Sequence, residues 1–275
     1  MLTRRSLLLA TSAVFAITSA SAAAITFSSS GVNSAAIQAT VDSYRTALGT
    51  LNPNVAGSAG SGRREINWDG VPDALSAPNN LLANFFNVNS PRGVVFSTAG
   101  SGFEVSGNAG VAPIEFDNIN ATYSSIFQTF SAQRLFTPIS SNVMDVNFFV
   151  PGSGTASYTS AFGAVFTDVD LANATSLQFF DTNNASLGTF FVPTFNTGLS
   201  FLGIQFNAGE RVGRVRITTG NAALGGLDSS TNDVVVMDDF IYAEPAAVPE
   251  PATWTMMMFG AGVLAFMRRK LFTRR

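Results

Sequence analysis

From Arg63 onward, apolar and polar residues alternate with a period of two, which limits the fold to strands with one buried face. In residues 143–150 the alternation puts Met144, Val146, Phe148 and Val150 on one side. Residues 177–192 predict a hairpin in which Phe179-Phe180 and Phe190-Phe191 flank the turn 181–186. A second hairpin is expected between 201–206 and 211–218, joined by Asn207-Ala208-Gly209-Glu210. Residues 234–242 are apolar on both faces, which predicts a strand in the middle of a sheet. The 25 phenylalanines read as core, and glycine-, serine- and asparagine-rich turns separate the strands. The expected fold is mainly β, an antiparallel β-sandwich that is most simply a jelly roll. No repeat of propeller or solenoid period is visible.

One short helix precedes the strands. Ile37, Val41, Tyr44 and Leu48 recur at spacings of four, three and four, so they share a helical face. Asn33 or Ser34 is placed to cap its start, and Gly49 with Pro53 ends it. Residues 56–62 (Ala-Gly-Ser-Ala-Gly-Ser-Gly) read as a flexible linker. The helix is therefore expected to pack loosely on the main domain or to stand off it as an arm. The domain plan is a leader at 1–24, helix and linker at 25–62, a sandwich at 63–243 and a tail at 244–275.

Both ends carry address-like patterns. Arg4-Arg5, an apolar run over 7–17 and small residues at 20–24 form a secretory signal peptide, with cleavage expected after Ala22 or Ala24. Residues 3–8 also resemble a twin-arginine export signal, so both export routes stay open. At the other end, Val248-Pro249-Glu250-Pro251 precedes 16 apolar residues (252–267) and then Arg268-Arg269-Lys270. As a transmembrane helix the apolar segment spans about 24 Å, short of a hydrocarbon core of about 30 Å. It would insert with local thinning or snorkelling arginines, its basic end on the cytoplasmic side.

This tail resembles the PEP-CTERM sorting signal, which bacterial transpeptidase-like membrane proteases called exosortases recognise. The resemblance implies an exosortase as partner, with Pro249, Glu250 and Pro251 as recognition residues and Arg268 and Arg269 in the basic end. It also implies a precursor held transiently in the inner membrane and then passed to the cell surface or an extracellular matrix. Extracellular polysaccharide or biofilm is the implied destination. Pro245 and Pro249 stiffen the spacer and keep it extended, which suits a protease cleft.

Charge and composition exclude several chemistries. Setting aside two basic residues in the leader and five in the tail leaves 8 arginines against 18 carboxylates, a balance of −10. Such a surface repels nucleic acid and anionic lipid and favours cations, neutral glycans or basic partners. There is no cysteine and no histidine. That removes disulfides, thiolate nucleophiles, the serine–histidine relay and nearly every zinc or iron site. The chain is accordingly expected not to be an enzyme.

Two carboxylate pairs are the candidate sites. Asp238 and Asp239 sit in the strand that is apolar on both faces, so at least one is buried and needs an arginine, backbone N–H groups or a metal. The segment resembles the closing strand of jelly-roll carbohydrate-binding modules, which implies a structural Ca²⁺; Glu65 and Asp69 are companion ligands by residue type alone. The plainer alternative pairs the carboxylates with Arg211, Arg214 or Arg216, or puts them at a bulge. Asp168 and Asp170 fall on one strand face with Phe162 and Phe166, about 6.8 Å apart along the backbone. That spacing suits a shared Ca²⁺, an acid/base pair for a glycan hydrolase or lyase, or a solvated acidic turn. Trp68, Tyr123 and Tyr158 are the aromatics left for stacking on sugars, with burial the competing reading for Trp68. Arg214 and Arg216 read as neutralising acidic neighbours, and Arg63-Arg64 as a protease site or a solvated hinge.

Overall fold

The computed structural model describes residues 24–107, 114–131 and 133–248. The leader through residue 23 and the tail from residue 249 lie outside the described residues. So does the proposed spanning segment; among the described residues no helix is long and apolar enough to cross a membrane.

In chain order the strands are β1 (Ala24–Gly31), β2 (Arg63–Ile66), β3 (Asn80–Leu81), β4 (Val94–Thr98), β5 (Gly102–Val105), β6 (Phe136–Ile139), β7 (Val143–Phe148), β8 (Ser157–Tyr158), β9 (Ala161–Val169), β10 (Ser176–Asp181), β11 (Ser186–Phe191), β12 (Phe195–Phe206), β13 (Val212–Thr218), β14 (Val236–Ala243) and β15 (Ala246–Ala247). Two helices, α1 (Ser34–Leu48) and α2 (Phe85–Val88), join them. One antiparallel sheet runs β1-β12-β9-β14-β6-β5-β3, with β2 also on β14, and the other runs β11-β10-β13-β7-β4. The short β15 pairs with β8.

The sheets face each other across one aromatic-rich core, as the alternation predicts. Met144, Val146 and Phe148 of β7 point into it and are all but fully buried, against Phe162, Phe166, Met237 and Phe240 of the facing sheet. Trp68 lies at its centre, stacked on Phe136 at 3.9 Å and meeting Phe240 edge-on at 5.0 Å. Each such buried large side chain contributes about 1.5–3 kcal/mol. β14 is central, as its two apolar faces require.

Four local expectations are corrected. The predicted 201–218 hairpin is not one. β12 pairs with β1 and β9, whereas β13 pairs with β10 and β7. The turn at 207–211 crosses between sheets, so Leu202 and Ile204 face Val215 and Ile217 through the core. Turn residues alone do not distinguish a hairpin from an arch, because both reverse the chain.

The helix does not pack loosely. Asn33 caps α1 by accepting from the Ala36 N–H, and Gly49 ends it with φ of 89°. Ile37, Val41, Tyr44 and Leu48 cover the outer face of the first sheet, against Val165, Phe201 and Ile241. Gly163 and Gly203 are register partners and form the slot for Tyr44. A Cβ on Gly163 would come within 2.9 Å of the Tyr44 ring. Ahead of α1, β1 adds an edge strand that the serine-rich residues 24–31 do not announce.

Nor is 56–62 a free linker, or Arg64 a solvated hinge. Arg64 is buried and forks onto Glu244, with Nε 2.7 Å from Oε2 and Nη2 2.8 Å from Oε1. Its remaining N–H groups donate to the carbonyls of Pro53, Pro91 and Gly57. Glu244 in turn accepts from Asn52 Nδ2 and the Ala59 N–H. A bidentate, fully matched pair of this kind fastens the glycine-rich segment to the sandwich.

Candidate functional site

The first carboxylate pair sits on a β-bulge. Met237 is opposite Phe166 and Phe240 is opposite Ala164, so Asp238 and Asp239 together oppose Val165 alone. The extra residue lets Met237 and Phe240 both face the core while the two carboxyls turn toward α1 and residues 128–131. Asp238 Oδ2 accepts from the N–H groups of Phe130 (2.6 Å) and Ser131 (3.2 Å). Ser131 Oγ donates to Asp239 Oδ1 at 2.8 Å, and Arg45 Nη2 lies 3.3 Å from Asp239 Oδ2. Burial, then the neighbouring Asp239, pushes the Asp238 carboxyl well up, and burial raises Asp239 to about 6.

The bulge alternative is therefore the arrangement found, with Arg45 in place of Arg211, Arg214 or Arg216. Arg45 also binds Glu65 at 2.9 Å, and Arg63 binds the same carboxylate at 2.6 Å. Asp69 lies nearby, within reach of Ser131 and Arg134, and burial raises its pKa. A polar cleft of about 300 Å³ opens here, lined by Arg45, Asn52, Asn54, Glu65, Arg92 and Asp239 among others. Among the described residues, no three acidic side chains are placed to hold a metal ion together.

The second pair ends β9. Asp168 takes a left-handed backbone (φ 65°), which breaks the simple alternation that would align it with Phe162 and Phe166. Opposite it, β12 bulges between Phe195 and Leu199, and the Thr197 N–H donates to Asp168 Oδ1 at 2.7 Å. Asp168 is buried rather than solvated, and its Oδ2 has no partner. Asp170, half-buried beyond the strand end, accepts from Asn196 Nδ2 at 3.1 Å; its Oδ1 is buried and also unpartnered. Asp228 and Asp233 reach the same place from the 219–233 loop. Asp233 accepts from the N–H groups of Asp170 and Leu171, and Asp228 from that of Val234. Burial first, then the neighbouring carboxylates, raises Asp168 to about 7 and Asp170 to about 6.

Sequence reasoning missed Asp228 and Asp233. The only signal was two aspartates five apart in a glycine-, serine- and asparagine-rich stretch, which reads as an ordinary loop.

Two of the three aromatic candidates are corrected. Trp68 is in the core, and Tyr123 is buried with its hydroxyl donating to the Gly226 carbonyl at 2.8 Å. Both rings are held by packing and cannot stack on a sugar. Tyr158 is half-buried under the Arg211 guanidinium, 5.2 Å from the ring centre. Arg214 and Arg216 both bind Asp145 at 2.9 Å, as neutralising groups.

Residues 247–275 match the PEP-CTERM protein-sorting motif. Pro249, Glu250, Pro251, Arg268 and Arg269 all fall within that match, outside the described residues. The motif marks an exported protein, made as a membrane-anchored precursor and sorted by an exosortase. No curated protein and no solved structure matches the chain.

Proposed function

We propose that this protein is a surface or extracellular-matrix component whose sandwich body is structural or adhesive rather than catalytic. Exosortase cleavage near Pro249–Pro251 delivers it. The observation that carries this reading is the sorting motif, matched over residues 247–275 and abutting the folded body. Ala246 and Ala247 still pair with Tyr158 and Ser157, and the Val248 N–H still donates to the Ala156 carbonyl. The described fold thus runs up to residue 248, so residues 246–248, expected as part of an extended spacer, pair with the body instead. Its internal polar groups suit a scaffold: Arg64 and Glu244 hold a surface segment, and Arg214, Arg216 and Asp145 brace the outer face of the second sheet. Extracellular polysaccharide is the partner that the sorting route favours.

Replacing Glu250 with Ala tests the delivery step. Export should proceed, and uncleaved precursor should accumulate at least severalfold in the inner membrane. Mature protein appearing at the normal rate would reduce the tail to a plain anchor. The body is tested by incubating the purified protein with extracted matrix polysaccharide. Retention without shortening of the polymer is expected, and shortening that Asp168→Asn abolishes would make the body an enzyme.

A further inference from the structure

We propose that the end of the sandwich where the carboxyls of Asp168 and Asp170 lie is a Ca²⁺ site. Two buried carboxylate oxygens there have no partner. Asp168 is 1% exposed, and only its Oδ1 has a donor, the Thr197 N–H. Its Oδ2 is buried and has no partner. Asp170 is used the same way: Oδ2 takes Asn196 Nδ2, while Oδ1 is buried without a donor, and the nearby Asp228 and Asp233 add to the burial that raises its pKa. Buried carboxylate oxygens with carboxylate neighbours must either hold a proton or take a cation.

The described residues supply no such charge. Among the described residues, no ion pair includes Asp168, Asp170, Asp228 or Asp233. The arginines among the described residues are engaged elsewhere: Arg45 and Arg63 on Glu65, Arg64 on Glu244, Arg134 on Asp73, and Arg214 and Arg216 on Asp145. Arg92 and Arg211 lie over the Phe86 and Tyr158 rings. Meanwhile the backbone around the cluster is held in place. Asp233 grips the N–H groups of Asp170 and Leu171, Asp228 that of Val234, and Thr197 takes a left-handed φ of 50° beside Asp168. This is a set of oxygens positioned before any ligand arrives.

The donor set selects the ion. A chain without histidine or cysteine offers only oxygen here, which favours hard cations over zinc or copper. Because no three acidic side chains are placed to hold an ion alone, Asp168 Oδ2 and Asp170 Oδ1 would share the shell with carbonyl oxygens and water. Ca²⁺ accepts such mixed, irregular shells of about 6–8 oxygens, whereas Mg²⁺ demands near-octahedral geometry. The site is independent of exosortase sorting and of any polysaccharide.

The test uses full-length protein purified in detergent and stripped with EDTA. Titration with CaCl₂ in a calorimeter should give one ion per chain. Unfolding should shift upward by about 5–10 °C when Ca²⁺ is about 100-fold above its Kd. Asp168→Asn, and separately the half-buried Asp170→Asn, should weaken binding at least tenfold, while Asp238→Asn at the bulge should keep it. No binding by the wild type would overturn the proposal, as would binding lost in Asp238→Asn and retained in both other variants. An equal upward shift with MgCl₂, or with NaCl of matched ionic strength, would also overturn it, since that is charge screening.

Discussion

Arg64 and Asp168 are each 1% exposed, yet one is surrounded by partners and the other is not. Arg64 meets Glu244 through two hydrogen bonds and spends its other N–H groups on backbone carbonyls. Asp168 has a single backbone donor and three carboxylates for neighbours. A buried charge is tolerable when its complement is fixed in the same fold. Where the fold provides like charges and bare oxygens instead, the complement has to come from solution. In this comparison the matched region reads as a fastener and the unmatched one as a site. The bulge at Asp238 and Asp239 lies between them, with N–H donors, a serine and one arginine.

Breaking the matched pair should have the largest effect. Arg64→Met leaves Glu244 buried with its charge unopposed, a loss of about 3–5 kcal/mol in denaturant unfolding. Residues 56–62 should become open to proteolysis under native conditions. Adding Glu244→Leu should not restore stability, because the carbonyls of Pro53, Pro91 and Gly57 would still lack donors. Full recovery in the double variant would make the pair dispensable packing.

The unmatched end should respond with the opposite sign. In EDTA at pH 8, Asp168→Asn should stabilise the protein by about 1–2 kcal/mol, because it removes a buried like charge. The same variant should be the less stable one in saturating Ca²⁺. A loss of stability in EDTA would mean that the charge is already compensated within the fold.

The bulge should give the smallest effect, visible as a pH dependence. Asp239 titrates near 6 in the folded protein against 3.8 ordinarily. The folded carboxyl thus keeps its proton after the unfolded one has lost it, and stability from this group falls as pH rises from about 4 to about 6. Asp238, raised further, extends the decline to higher pH. An asparagine at 238 can keep its oxygen on the Phe130 and Ser131 N–H groups while its amide faces Ser131 Oγ. Urea midpoints of Asp238→Asn should therefore fall less steeply with pH, by about 1 kcal/mol across the window. Parallel curves for variant and wild type would show that the pair does not titrate in this range.

The legible parts of the fold are those governed by near neighbours in sequence. The stripe Ile37-Val41-Tyr44-Leu48 gives α1, the alternation through Phe148 gives β7, and the double-faced apolar run gives a central β14. At 24–31 the signal fails because β1 is an edge strand with a largely exposed face and no strict alternation to show. At 201–218 it fails because pairing partners are chosen by the sheets. The candidate carboxylates were visible as residue types, but their states were not. One inserted residue at the bulge turns Asp238 and Asp239 to the same side, and one left-handed φ redirects Asp168.

The sequence alone determined the sorting route, the antiparallel β character and the absence of thiol and imidazole chemistry, because a linear motif, a periodicity and a composition need no third dimension. Only the tertiary structure decided which buried charges are satisfied. Arg64 finds Glu244 across 180 residues, and Asp170 meets Asp233 across 63. The energy of a buried charge depends on what surrounds it in space, and no local pattern in the chain records that.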